Sequence, residues 1–84
     1  MENQEIRDII KKMISQVTGI DASTIPDSAA YEADLGLDSL SILEIAVSVE
    51  SHFKIQAGDE ELSNIRTIND TVEFVRRSMP SEVV

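Results

Sequence analysis

The chain is organised around one stretch, Asp34-Leu35-Gly36-Leu37-Asp38-Ser39-Leu40, which leads directly into its most apolar segment. Asp38 is a good helix N-cap, because its carboxylate can accept hydrogen bonds from the free backbone N–H groups of a first turn. Ser39 then takes the first helical position, with its hydroxyl facing solvent beside the positive end of the helix dipole. A phosphate group suits such a position. Ser39 is therefore the first candidate functional residue.

The helix that begins at Ser39 is predicted to run to Phe53 and to bear apolar residues on two sides. At about 100° per residue, one side forms the core stripe. That stripe consists of Ile42, Ile45, Ala46, Val49 and Phe53. Nearly opposite lie Leu40, Leu43 and Val47.

A small bundle cannot easily cover both sides of one helix, so part of the second side is expected to meet a partner. We expect a short third helix to cover Leu43 through Leu62 and Ile65.

The remaining residues of that side form a predicted docking surface. Leu40 and Val47 supply its apolar contacts, while Glu44 and Glu50 border it and can steer a basic partner. Asp38, besides its role as a cap, is included in this docking surface.

The N-terminal part is predicted to form one amphipathic helix followed by a long loop. Asn3 is a suitable cap for this helix and Gly19 a suitable stop. Its apolar stripe consists of Ile6, Ile9, Ile10, Met13, Ile14 and Val17. Residues 20–37 are rich in turn-forming residues. The apolar anchors of this loop are Ile20, Ile25, Tyr31 and Leu35.

Two more helices complete the predicted fold. Residues 60–65 can form a short third helix, and Thr67 with Asp70 matches a capping box for a fourth. Arg76 and Arg77 suit the C-terminal end of the fourth helix. Its inner stripe is Ile68, Val72 and Val75. No stretch alternates cleanly, so we predict an all-α fold. It is a small four-helix bundle with three longer helices, one short third helix and a long loop between helices one and two.

Composition limits the function classes. The 84 residues suit one small domain, and 16 acidic against 7 basic residues give a net charge of −9. Nucleic acid and anionic membrane are therefore poor partners. The chain has no cysteine, an acidic and polar N-terminus unlike a signal peptide, and no apolar run of membrane-spanning length. We expect a cytoplasmic monomer.

The sequence gives little support for a catalytic site or a metal site. His52 lies thirteen residues after Ser39 on one helix, or about 20 Å along its axis, so it cannot act as a base for that serine. One histidine and no cysteine leave no recognisable metal site. A small serine hydrolase is therefore discounted, since the chain also lacks an oxyanion-hole motif and a cavity.

The stretch from Asp34 to Leu40 closely resembles the D-L-G-x-D-S-L signature of acyl carrier proteins. Its context matches as well, with Tyr31 at the family's aromatic position and an apolar helix after the signature. Later segments, Asp59-Glu60-Glu61 and Ile65-Arg66-Thr67-Ile68, match the family in order and spacing. The similarity covers residues 5–78.

The resemblance implies a non-catalytic acyl carrier domain over residues 1–79, followed by a disordered tail at 80–84. A phosphopantetheinyl transferase would attach 4′-phosphopantetheine from coenzyme A to Ser39. Acyl groups would then be carried as thioesters on the thiol of this arm. Partners would be acyl-transferring, condensing or modifying enzymes with basic docking surfaces.

Several positions depart from the fatty-acid-synthesis pattern. Ser41 replaces an acid, Ala33 replaces a Glu, Val47 stands where a Met is common, and Ala57-Gly58 replaces Ile-Pro. These departures favour polyketide or related specialised biosynthesis over housekeeping fatty-acid synthesis. Gly-Leu-Asp before the serine favours an acyl cargo over a peptidyl one.

A second hypothesis needs no prosthetic group. In it, the chain is an acidic helical interaction module that binds partners through Leu40, Glu44, Val47 and Glu50. The two hypotheses differ in the mass of the natively produced protein, which only the carrier increases.

Overall fold

The computed structural model describes residues 2–79, which form four α-helices and one short 3₁₀ turn. The helices are α1 (Asn3–Thr18), α2 (Ser39–Phe53), α3 (Asp59–Asn64) and α4 (Ile68–Ser78), and the 3₁₀ turn is Ala22–Thr24. This order confirms the all-α bundle with a short third helix and a long loop after the first. The predicted tail at 80–84 lies outside the described residues, so the domain boundary at residue 79 stays a prediction.

The helix ends differ from the predictions in two places. Asn3 was the wrong cap for α1, because Glu2 is the N-cap and Asn3 is the first helical residue. The Glu5 carboxylate accepts a hydrogen bond from the Glu2 N–H at 3.1 Å, which satisfies that donor without help from Asn3. The third helix lies one residue earlier than the predicted 60–65, since Gly58 is its N-cap.

The other helix signals are confirmed. Gly19 ends α1 with φ +82, a left-handed conformation that glycine adopts without steric cost. At the start of α4, the Asp70 N–H donates to Thr67 Oγ1 and the Thr67 N–H donates to Asp70 Oδ2. Arg76 and Arg77 lie in the last turn of α4.

The core lies where α1, α2 and α4 meet and is closed by the long loop. Its buried side chains come from all three helices and from the loop. The largest of those that are fully buried are Tyr31, Phe74, Ile6, Ile10, Ile14, Ile45 and Ile68. Of the predicted loop anchors, Ile25 and Tyr31 are buried, and Ile20 and Leu35 pack partly buried against the core.

Tyr31 fastens the long loop to α4. Its ring is fully buried, and its hydroxyl is hydrogen-bonded to Thr71 Oγ1. Because the Thr71 hydroxyl donates its single proton to the Thr67 carbonyl at 3.1 Å, the Tyr31 phenol is the donor of this pair. The prediction that Tyr31 anchors the loop is therefore confirmed.

This burial makes stability depend on pH in the alkaline range. Burial raises the pKa of Tyr31 to about 12, while an unfolded tyrosine titrates near 10. Above pH about 10 the unfolded chain loses a proton that the folded chain keeps, so the free energy of unfolding falls. We expect the stability of the wild type relative to Tyr31→Phe to fall by about 1.4 kcal/mol per pH unit between pH about 10 and about 12, so that Tyr31→Phe becomes the more stable protein within this range.

Urea titrations of both proteins at a series of pH values measure this difference. The Tyr31→Phe variant is the control for other alkaline titrations, such as those of the lysines. A constant difference across the alkaline range would contradict a buried neutral phenol.

Candidate functional site

Asp38 caps α2 as predicted. Its backbone is extended, with φ −89 and ψ 174, and its Oδ1 accepts a hydrogen bond from the Ser41 N–H at 2.9 Å. This N–H, followed by the Ser41 hydroxyl, holds the pKa of the Asp38 carboxyl below its usual value. The cap thus keeps its negative charge into the acid range and fixes Ser39 as the first residue of the helix.

The residues before the cap form a tight turn. Gly36 has φ +65, and its N–H donates to the Glu32 carbonyl at 3.1 Å. The Asp34 carboxylate accepts the Ala30 N–H at 2.7 Å, which closes the turn from the other side. Asp34 and Gly36 of the signature therefore have structural roles. Asp34 closes the turn through its carboxylate, and a residue with a Cβ at position 36 would be strained at this positive φ.

Ser39 is exposed and lines a groove of about 710 Å³. One wall comes from α2, one from α3 and the residues after it, and the rest from the long loop. The lining residues are Ala30, Glu32, Ala33, Ser39, Ile42, Leu43, Ala46, Leu62, Ser63, Ile65 and Arg66. An accessible hydroxyl thus adjoins a surface depression lined by both apolar and polar side chains.

The prediction that α3 covers Leu43 was wrong. Leu43 remains 46% exposed, and it lines the groove together with Leu62 and Ile65. The expected neighbours are correct, but an open space separates the two helices instead of a packed contact. With only six residues, α3 is about 9 Å long and offers too little surface to close over α2.

The exposed α2 face consists of Leu40, Leu43 and Val47 with Glu44. Leu40 is 63% and Val47 53% exposed, and Glu44 is exposed as well. Leu40, Leu43 and Val47 are spaced by three and four residues, so they form one stripe. The expectation that Leu40 and Val47 stay accessible is confirmed.

Glu50 does not belong to this free rim. It is partly buried, and its Oε2 accepts a hydrogen bond from the Ala57 N–H at 2.7 Å. The chain reverses after α2 through Lys54, a non-glycine residue with φ +56, and this reversal brings Ala57 back to the helix. Glu50 therefore has a structural role in the α2–α3 connection and is not a free surface charge, while its part in docking stays a prediction.

Charge reversal at Glu50 and at Glu44 should have different effects on the free energy of unfolding. We expect Glu50→Lys to lower the free energy of unfolding by about 1–3 kcal/mol, because the Ala57 N–H loses its charged acceptor. Glu44→Lys, a matched charge reversal on the exposed α2 face, should leave stability nearly unchanged. Urea denaturation of the two variants measures this, with Glu50→Gln as a milder change that keeps an acceptor oxygen. Equal losses for both lysine variants would contradict a specific role for the hydrogen bond between Glu50 and the Ala57 N–H.

His52 is exposed near the end of α2, where its ring meets the Phe53 ring edge-on with 4.9 Å between centroids. Within residues 2–79 no group of three or more potential metal ligands comes together. In the same part of the chain, no helix is both long and apolar enough to cross a membrane.

Sequence reasoning predicted Leu62 and Ile65 opposite Leu43 but missed the other residues that line the groove across from α2. Ser63 and Arg66 line it from α3 and the residues after it, and Glu32 and Ala33 line it from the loop. A helix of one and a half turns has too few residues to show an apolar period, so no periodic signal marked these positions.

Comparison with known proteins identifies the class to which this fold and site belong. A family model described as "Phosphopantetheine attachment site" matches residues 8–75, which include the signature stretch, the groove and most of the core. The fold and the matched site define a phosphopantetheine-binding carrier domain. The chain belongs to the acyl carrier protein family.

Named relatives agree with this membership. The chain is 39% identical over 71 residues to an acyl carrier protein of Onion yellows phytoplasma, covering 84% of this chain and 93% of that protein. It is 36% identical over 74 residues to a meromycolate extension acyl carrier protein of Mycolicibacterium aurum, covering 88% and 76%. It spans 64% of the corresponding Mycobacterium leprae protein, at 38% identity over 88% of this chain.

Solved structures show the same fold. An acyl carrier protein from Thermotoga maritima superposes with a TM-score of 0.81 at 26% identity, covering 93% of this chain and 91% of that one. The apo doublet acyl carrier protein from prodigiosin biosynthesis gives a TM-score of 0.80 at 27% identity, covering 96% and 40%.

The family settles three of the predictions. Its prosthetic group is 4′-phosphopantetheine, which confirms the predicted cofactor and decides against an interaction module without one. Its members are non-catalytic carriers, so the chain is not an enzyme. They work with biosynthetic enzymes, which are the general class of partner.

Proposed function

We propose that this protein carries acyl groups as thioesters on a 4′-phosphopantetheine arm attached to Ser39 and presents them to partner enzymes. The observation that carries the proposal is the exposed Ser39 hydroxyl at the first position of α2, beside an open groove. Ser39 also follows the signature aspartate inside the segment matched by the family.

The attachment step requires an accessible, nucleophilic hydroxyl, which Ser39 offers. Its oxygen forms a new bond to the pantetheine-bearing phosphorus of coenzyme A, while the phosphorus–oxygen bond to the leaving nucleotide breaks. Adenosine 3′,5′-bisphosphate departs, and the hydroxyl proton passes to a base of the transferase, since no histidine of this chain is near. When bound, the arm supplies the thiol that this cysteine-free chain lacks.

The groove suits an acyl chain on that arm. Its walls include the apolar side chains of Ile42, Leu43, Leu62 and Ile65, and its volume falls within the range of small-molecule sites. An acyl chain that lies there removes its own apolar surface and that of Leu43 from water.

Partner docking is proposed for the exposed α2 face, with Leu40 and Val47 as apolar contacts. Asp38, next to Ser39, and Glu44, on the exposed α2 face, provide negative charge in a chain whose net charge is already −9. These charges favour enzymes with basic docking surfaces, the phosphopantetheinyl transferase among them.

Reversing the charge of Glu44 should weaken docking without unfolding the protein. We expect Glu44→Lys to lower the rate of arm attachment by a phosphopantetheinyl transferase, through slower association. The loss should shrink in high salt, where screening weakens steering in the wild type as well. The rate is measured by quenching reactions at a series of times and determining the modified fraction by intact mass. Glu73→Lys, an exposed acid on α4, serves as the matched control. Equal rate losses in both variants would contradict a local docking role.

The pathway is proposed to be a specialised one, such as polyketide or related biosynthesis. The sequence departures at Ala33, Ser41 and Val47 support this, and so do relatives named for meromycolate extension and prodigiosin biosynthesis. The mass of the loaded protein from its native host tests it. An arm bearing only ordinary saturated fatty acyl groups would contradict the specialised assignment.

The carrier function itself is tested by incubating the purified protein with a phosphopantetheinyl transferase and coenzyme A. The expected result is the mass gain of one arm, located at Ser39 by peptide mapping. No gain, under conditions in which a control carrier is fully modified, would overturn the proposal.

A further inference from the structure

Among residues 2–79, Arg66 is the only basic residue that lines the groove beside Ser39. It lies on the wall formed by α3 and the residues after it, and it is exposed. Within residues 2–79 its guanidinium has neither a hydrogen bond nor an ion pair, whereas its backbone is fully engaged. One cation is thus free in the groove of a chain with net charge −9.

The backbone fixes the position of Arg66 relative to Ser39. The Arg66 carbonyl accepts the Tyr31 N–H at 2.9 Å, and the Tyr31 carbonyl accepts the Leu37 N–H at 2.9 Å. Leu37 stands two residues before Ser39. Adjacent hydrogen-bonded chains lie roughly 5 Å apart, so two such steps place the Arg66 backbone within about 10 Å of the segment that leads into α2. A long arginine side chain can span much of that distance.

We propose that Arg66 binds the phosphodiester of the arm attached to Ser39 and thereby holds the start of the arm against the groove. The inference rests on the proposed attachment. The guanidinium presents paired N–H donors that match phosphate oxygens, and a phosphodiester is negatively charged at all physiological pH values. In the described part of the chain, Glu32 is the only carboxylate that lines the same groove, and its charge disfavours the phosphodiester on its own side.

The side chain can be removed without disturbing the fold. The Arg66 N–H donates to Asp70 Oδ2 at 3.1 Å and its carbonyl accepts from Tyr31, and both interactions survive in Arg66→Gln. Lys12→Gln is the matched control, because Lys12 is an exposed cation on α1 and does not line the groove.

The test compares wild type, Arg66→Gln and Lys12→Gln after complete modification, verified by intact mass. The readout is the ³¹P chemical shift of the phosphodiester, with the urea-unfolded holo protein as the reference for a free phosphate. We expect the wild-type and Lys12→Gln shifts to differ from the reference, and the Arg66→Gln shift to move to it. High salt should move the wild-type resonance in the same direction.

Each outcome has one meaning. Failure of the wild type to gain mass would defeat the proposed function, and the Arg66 inference with it. Complete modification with identical ³¹P shifts in all three proteins would overturn the inference alone. A difference between wild type and Arg66→Gln that arises only when the acyl cargo carries a carboxylate would also overturn it, since the anion bound by Arg66 would then be the cargo.

Discussion

Replacing Ser39 with alanine is expected to abolish attachment of the arm completely. The hydroxyl oxygen is the atom that forms the bond to phosphorus, and a methyl group cannot replace it. The fold should survive, because Ser39 is exposed and the cap of α2 depends on the Asp38 carboxylate and the Ser41 N–H. Intact mass after incubation with transferase and coenzyme A measures the loss, and circular dichroism checks the fold.

Ser63→Ala is the matched control for this experiment. Ser63 is also exposed and lines the same groove, and its hydroxyl bonds the Asp59 carbonyl at 3.0 Å. We expect this variant to be modified at the wild-type rate. Mass gain in Ser39→Ala, or its loss in Ser63→Ala, would place the attachment point elsewhere in the chain.

Replacing Tyr31 with alanine should give the largest loss of stability among the substitutions considered. Truncation of a fully buried aromatic ring costs about 3–5 kcal/mol, while a chain of this length has a total stability of roughly 4–13 kcal/mol. The ring lies under the long loop, and the hydroxyl ties that loop to Thr71. The loss is therefore expected to be a large share of the total stability, with weaker arm attachment as a secondary effect. Urea denaturation measures the loss.

Tyr31→Phe separates the ring from the hydroxyl. It keeps the packing, and Thr71 keeps its own donor bond to the Thr67 carbonyl, so the cost should be only about 1 kcal/mol. An alanine variant no less stable than the phenylalanine variant would show that the ring does not anchor the loop.

The local elements of this fold are readable from sequence because their causes are local. Asp38, the Thr67–Asp70 pair and Gly19 act on backbone groups within a few residues, so their roles follow from spacing alone. Asn3 shows the limit of this reasoning, since the neighbouring Glu2 competes for the same role.

Placement between elements was harder to predict. The prediction that α3 covers Leu43 was wrong because periodicity shows which side of a helix is apolar. It does not show how closely a short neighbouring helix packs against that side. The expectation that Glu50 is a free surface charge was wrong for a related reason. Its partner, the Ala57 N–H, reaches it only through a chain reversal that depends on a left-handed Lys54.

Sequence by itself determined the helical segments, the cap that sets Ser39 at the head of α2 and the pair of apolar faces on that helix. These follow from interactions within one or two helical turns. Tertiary structure decided that the space between α2 and α3 stays open, that Glu50 stabilises a connection, and that Arg66 shares a groove with Ser39. Each of these depends on contact between two segments that are far apart in the sequence, such as the Tyr31 and Arg66 backbones. Only the packed bundle brings such segments together.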